Sequence, residues 1–275
     1  MNVLVTGGAG YIGSHAVRAL AETANLTPIV YDNFSTGHPE AVSDKVQLIT
    51  GDIHDVQFLK HIMGEYEIDG VIHFAASSQV GESMTDPAKY YYNNVSGTLH
   101  LLVAMHEAGV DNLVFSSTAA VYGEPEKTPI EEDFPTVPTN VYGRTKLMIE
   151  TMLKDFTMAY GMKYVALRYF NAAGASLDGV IGEDHNPETH LIPLILKTAQ
   201  GVRDHISIFG TDYPTPDGTC LRDYIPVSYT HLDDQWDSEE ALALRKKLDL
   251  WSKGREPALI RADMDIRLRR FRRKK

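Results

Sequence analysis

Thr6-Gly7-Gly8-Ala9-Gly10-Tyr11-Ile12-Gly13 lies between a short apolar run, Asn2–Thr6, and an amphipathic stretch, Tyr11–Glu22. A glycine motif placed after a strand and at the start of a helix reads as a dinucleotide cradle. Gly7 allows the tight turn, Gly10 lets the backbone approach a pyrophosphate, and Gly13 lets helix pack close to strand. Tyr11 and Ile12 open the helix, whose free N–H groups and positive dipole end face the phosphates. The alternative is a glycine-rich turn with no ligand. Asp32 argues against it, because it closes a second apolar run 19 residues after Gly13, where a carboxylate accepts hydrogen bonds from ribose hydroxyls. The residues after it are Asn33, Phe34 and Ser35, with no Arg to receive a 2′-phosphate, so NAD is expected over NADP.

Working outward, Asn2–Thr6, Thr27–Tyr31, Val46–Ile49, Gly70–Ala75, Asn112–Ser116 and Lys163–Tyr169 read as strands. They are near-continuous apolar runs, as strands buried on both faces require. Helical patterns intervene at Tyr11–Glu22, Val56–Glu65, Pro87–Ala108 and Val141–Ala159, and a later one covers Leu191–Gln200. Such alternation predicts an α/β Rossmann fold, a doubly wound parallel sheet. Asp52 and Ile53, after the third strand, suit contacts to an adenine ring. Phe74, Ala75 and Ala76, after the fourth, put small residues where a cofactor passes close to the backbone.

Composition narrows the classes. With 43% hydrophobic and 23% charged residues the chain has ample material for a core. Cys220 is its single cysteine, so no disulfide framework exists within one chain and a cytoplasmic home is expected. No apolar run approaches membrane-spanning length, and the start Met1-Asn2-Val3-Leu4 lacks the pattern of a signal peptide. Residues 1–226 carry 13 Lys and Arg against 28 Asp and Glu, whereas 227–275 carry 13 against 9. The acidic body argues against nucleic acid as a partner. The His residues show no obvious ligand spacing, and no metal is expected.

Tyr142-Gly143-Arg144-Thr145-Lys146 places a phenol and an ammonium four residues apart, on one helix face. A nearby cation, together with a positive nicotinamide, favours phenolate and lowers a pKa that starts near ~10. Tyr142 then serves as a general base, and Lys146 can also hold the nicotinamide ribose. Ser116-Ser117-Thr118 ends the fifth strand; its hydroxyls either stabilise a reacting oxygen or belong to a polar strand end.

These residues carry a resemblance. Thr6–Gly13, Asp32-Asn33, Gly51-Asp52-Ile53, Asn93-Asn94-Val95, Ser116–Thr118, Tyr142–Lys146 and Arg168-Tyr169-Phe170-Asn171 match the extended short-chain dehydrogenases/reductases. Val80-Gly81-Glu82-Ser83, Asp212-Tyr213-Pro214-Thr215 and 218–225 are similar to the UDP-glucose 4-epimerases within that group. The resemblance implies an isomerase of UDP-hexoses, with Tyr142 as base, Lys146 as its partner and Thr118 as the catalytic Ser/Thr. It implies Ser116, Ser117, Asn93 and Tyr169 near the cofactor, Asn171 and Arg222 on the substrate phosphates, and His190-Leu191 on the nucleotide. It also implies a homodimer through helices such as Pro87–Ala108 and Val141–Ala159. A 4,6-dehydratase would place Asp-Glu after the strand-five Thr, where this chain has Ala119-Ala120.

The resemblance stops near Pro226. The expected division is therefore 1–170, an NAD-binding Rossmann domain; 171–226, a partial nucleotide-sugar-binding segment; and 227–275, a divergent basic tail. In that tail Asp237 and Glu240 form a capping-box pattern ahead of an amphipathic Ala241–Trp251. A truncated, frame-shifted or chimeric reading frame is expected, with an incomplete C-terminal substrate lobe. Binding of NAD without turnover is the alternative function.

Overall fold

The computed structural model describes residues 1–227 and the strand at 258–260. The main sheet is built from β1 (Asn2–Thr6), β2 (Thr27–Asp32), β3 (Gln47–Thr50), β4 (Gly70–His73), β5 (Asn112–Thr118), β6 (Lys163–Tyr169) and β9 (Ala258–Ile260). Its order is β3-β2-β1-β4-β5-β6-β9, with every neighbouring pair parallel. The order reverses between β1 and β4, so a crevice opens beyond the carboxyl ends of those two strands. The first six strands match the sequence reading to within about two residues at each end. Strand β9 lies in the region read as a tail, and the Asp237, Glu240 and Ala241–Trp251 expectations lie outside the described residues.

Alternate side chains of the central strands feed two cores. Leu4, Ile29, Tyr31, Val71, Leu113 and Phe115 face helices α2 (Val56–Glu65), α5 (Gly97–Ala108) and α6 (Val141–Tyr160). Val3, Val5 and Val30 face α1 (Tyr11–Glu22) through Val17. Double burial is why these strands are apolar without alternation.

Helix α6 has local reasons for both ends. The Asn140 side chain accepts the Gly143 N–H at 2.8 Å, and Gly161 ends the helix in a left-handed conformation. The predicted helix Pro87–Ala108 is interrupted: α4 (Pro87–Tyr90) runs through a π-helical turn (Tyr91–Ser96) into α5. Ahead of it stands α3 (Val80–Thr85), a six-residue helix outside the predicted helical stretches. Beyond β6, β7 (Asn171–Ala173) and β8 (Tyr224–Pro226) pair in a small parallel sheet, with α7 (Leu191–Ala199) between them in sequence.

Candidate active site

The turn between β1 and α1 is closed by its own backbone. Gly7 has φ +73, and a Cβ there would stand 2.5 Å from the Ala75 nitrogen, so the turn lies directly against the end of β4. A Cβ on Gly13 would stand 2.1 Å from the Gly7 carbonyl oxygen. Helix α1 begins at Tyr11, after Gly10, without a side-chain cap. Its first amides are therefore available to an anionic group. Ile12 is half-buried beside them.

Around this turn the strand ends bring the expected residues together. Asp32, buried at the end of β2, accepts the Ala9 N–H on Oδ2 (2.9 Å) and the Phe34 N–H on Oδ1 (2.8 Å). The carboxylate thus ties the glycine turn to β2, and each oxygen keeps a further lone pair. Asn33 donates to Asp52 at 3.1 Å. Ile53 differs from its neighbours: its side chain lies in the core against Gly97, leaving only its main chain to the crevice. The Phe74 and Ala75 amides donate to the Thr6 carbonyl, and Ala76 follows half-buried.

At the far side of the crevice stand Tyr142 and Lys146 on α6, facing the end of β5. Lys146 is buried and donates to the Ser116 carbonyl at 2.8 Å; its Nζ is 5.9 Å from the centre of the Tyr142 ring. Burial pushes the Tyr142 phenol up to about 12, opposed by a hydrogen bond from Thr118. Burial also lowers Lys146 to about 7. The spacing predicts that the ammonium, together with the positive nicotinamide of a bound NAD, lowers the phenol. In the protein alone, desolvation outweighs that attraction, because the same low-dielectric pocket that holds Tyr142 also weakens the charge on Lys146. Ser117 points elsewhere: its hydroxyl donates to the buried Glu150 at 2.5 Å. Tyr169 is buried at the end of β6, with its phenol raised by desolvation.

Several residues of the resemblance motifs, together with Glu150, which no motif contains, position this pair. Ser83, in α3, accepts the Tyr142 N–H on Oγ at 3.2 Å. Asn94, buried in the π-helical turn, exchanges hydrogen bonds with the Ser77 backbone and donates to Thr145 at 3.2 Å. Asn93 donates to the Asn94 side chain at 3.0 Å. Glu150 is paired with Arg168 on β6 through two contacts, 2.7 and 3.0 Å. Apart from the Asn93–Asn94 contact, these ties join residues 17 to 59 positions apart, so the partners are not legible in any local pattern. Among the substrate candidates, Asn171 donates to the Asp223 carbonyl, next to Arg222, whose guanidinium is exposed. Leu191 is exposed at the start of α7, and His190 is drawn to Glu183 and Glu188 at 2.9 and 3.1 Å. Among the described residues, no helix is long and apolar enough to cross a membrane.

Known proteins share this architecture. The family described as NAD dependent epimerase/dehydratase matches residues 3–228. The UDP-glucose 4-epimerase of Lacticaseibacillus casei is 53% identical over 227 residues, 82% of this chain and 68% of that one. That of Halalkalibacterium halodurans is 57% identical over 82% of this chain and 67% of its own length. A crystal structure of UDP-glucose 4-epimerase from Brucella ovis in complex with NAD superposes with a TM-score of 0.84 and 48% identity, covering 94% of this chain and 76% of that chain. The Bifidobacterium longum enzyme in complex with NAD+ and UDP gives 0.80 and 37%, over 90% and 74%. On the glycine turn, the Tyr–Lys helix and this likeness together, the chain belongs to the NAD dependent epimerase/dehydratase family and is a homologue of the UDP-glucose 4-epimerases within it.

Proposed function

We propose that this chain is a UDP-glucose 4-epimerase, an isomerase that interconverts UDP-galactose and UDP-glucose by transient oxidation at sugar C4 and serves galactose metabolism. The observation that carries the reading is the meeting of Tyr142, Lys146 and Thr118 at the crevice, in a chain more than half identical to curated enzymes of that name.

The residues fit NAD. The turn leaves no room for a side chain at Gly7 or Gly13, α1 starts uncapped after Gly10, and Asp32 closes β2 with acceptors to spare for ribose hydroxyls. Tyr11, Ile12, Asn33, Asp52, the main chain of Ile53, Phe74–Ala76, Asn93, Ser116 and Tyr169 complete the binding surface in this reading. When bound, NAD supplies a hydride acceptor and donor for C4 and a positive charge on its pyridine ring.

The chain's own part is proton handling and holding. The Tyr142 oxygen takes the proton of the sugar 4-hydroxyl and later returns it; Thr118, hydrogen-bonded to that oxygen, favours the phenolate. Lys146, fixed by the Ser116 carbonyl, holds the nicotinamide ribose and adds charge near the phenol. Asn171 and Arg222 grip the diphosphate, and His190 with Leu191 meets the nucleotide, so the hexose itself is held loosely enough to present either face. The enzyme acts in the cytoplasm as a homodimer. Exposed apolar side chains at Tyr92, Leu99 and Met148, along the π-helical turn, α5 and α6, support that pairing.

The test is NMR of UDP-galactose incubated with the full chain and NAD, alongside NAD calorimetry. Accumulation of UDP-glucose is expected. NAD binding with no conversion would reject the epimerase reading and leave a cofactor-binding protein; no NAD affinity in folded protein would reject both.

A further inference from the structure

Ahead of α7 the chain reads Glu183-Asp184-His185-Asn186-Pro187-Glu188-Thr189-His190, and four of these side chains converge. One ligand atom from each of Glu183, His185, Glu188 and His190 lies within 4.8 Å of the others. The His190 Nδ1 is 2.9 Å from Glu183 Oε1 and 3.1 Å from Glu188 Oε1; the His185 Nδ1 is 3.5 Å from Glu183 Oε1 and 3.8 Å from Glu188 Oε2. Four nitrogen and oxygen donors held ~2.0–2.2 Å from a tetrahedral zinc ion stand roughly 3.3–3.6 Å apart, within the range seen here.

A second observation points the same way. The Glu188 side chain is 3% exposed, and its two oxygens are used differently. Oε1 accepts the Thr189 and His190 N–H groups at 2.8 Å each, whereas Oε2 is buried with no hydrogen-bond partner. The His185 Nδ1 is buried in the same condition. Two unsatisfied buried atoms, aimed into one cluster of mixed nitrogen and oxygen donors, are the signature of a group that belongs between them.

We propose that Glu183, His185, Glu188 and His190 form a structural site for one divalent transition-metal ion of the zinc type. Two carboxylates and two neutral imidazoles balance a 2+ charge, and four protein ligands close the coordination sphere, as structural sites require. The ion would fix 182–190 beside the glycine turn. The Tyr11 hydroxyl donates to the Gly174 carbonyl at 2.8 Å, His38 Nε2 meets the Asp184 carbonyl at 2.9 Å, and the His185 ring stands edge-on to Tyr11 at 6.2 Å. The sequence signal is the spacing Glu-x-His-x-x-Glu-x-His, which a search for paired histidines alone passes over.

The test strips the full chain with a chelator, then titrates it with Zn2+ against a fluorescent zinc indicator. Uptake of one equivalent per chain is expected, with a rise in the unfolding temperature as Zn2+ is added. Glu188→Gln and His185→Gln should each weaken uptake at least tenfold, with NAD calorimetry reporting that the variants are folded. X-ray absorption of the zinc-loaded wild type, which needs no variant, should show two imidazoles and two oxygens and no sulfur. Absence of a stoichiometric site, unchanged affinity in both folded variants, or a sulfur ligand from Cys220 would overturn the proposal.

Discussion

At Gly13 the Cβ of any other residue would press on the Gly7 carbonyl from 2.1 Å, and that atom is backbone, unable to swing aside. Gly13→Ala therefore has to move α1 away from the turn. It should weaken NAD binding at least tenfold by calorimetry and cost ~1–3 kcal/mol of stability, as overpacking does; an unchanged dissociation constant would remove the cradle reading of this residue. His73 offers a different test. It is buried at the end of β4 between Thr6 and Thr98, at 2.6 and 2.9 Å, and its pKa is lowered to about 3 by burial and then by the charge of Lys146. The folded state thus refuses a proton that the unfolded chain accepts near pH ~6.5. Stability from this group is fully present above that pH and falls as acid is added, by up to ~1.4 kcal/mol per pH unit down toward pH 3. Lys146, lowered to about 7, adds a further rise in stability between pH 7 and its unfolded value near ~10.4. Urea midpoints at pH 5, 5.75 and 6.5 should climb steeply in the wild type and less so in His73→Gln; equal slopes would mean the imidazole is not held neutral.

At the scale of elements, α6 is the part that needs most support, because it carries both Tyr142 and Lys146. Its middle is pinned to β6 by the Glu150–Arg168 pair, with side chains only 1% and 7% exposed. Breaking a buried pair leaves an uncompensated charge, so Arg168→Ala should lose ~3–5 kcal/mol in denaturant titration. Adding Glu150→Ala to it should recover part of that loss, and a purely additive double variant would contradict the pairing. The elements themselves were largely legible in advance. Strands β1 and β6 and helices α1 and α2 fall where their apolar runs and periodicity put them. The failures have physical causes. Val80–Thr85 is too short and too glycine-containing to show a period, and a π-helical turn inside Pro87–Ala108 leaves the apolar pattern continuous while shifting the register. The site divides in the same way. Glycine spacing and Tyr-x-x-x-Lys are local and readable, whereas Ser83, Asn94 and Glu150 act through partners far along the chain. The burial of Tyr142 and Lys146, which moves both groups in the chain without NAD, is not legible in their spacing, because spacing reports nearness and not desolvation.

Over the whole molecule, function follows from where a parallel sheet ends. The strand order reverses between β1 and β4, and the glycine turn, Asp32, Phe74–Ala76, Thr118 and Tyr169 all arrive at one edge from separate stretches of chain. The segment after β7 folds back over α1, where Arg18 and Asp178 meet at 2.7 Å. Both partners are over a third exposed, so solvent screens that contact, and the Tyr11 and His38 contacts carry more of the docking. The most direct test of the account compares wild type with Tyr142→Phe, which removes only the phenol oxygen, in conversion of UDP-galactose to UDP-glucose at saturating NAD. Turnover should fall by ~10²–10⁴-fold with NAD affinity largely kept; undiminished conversion in the variant would contradict the assignment of Tyr142 as the proton carrier.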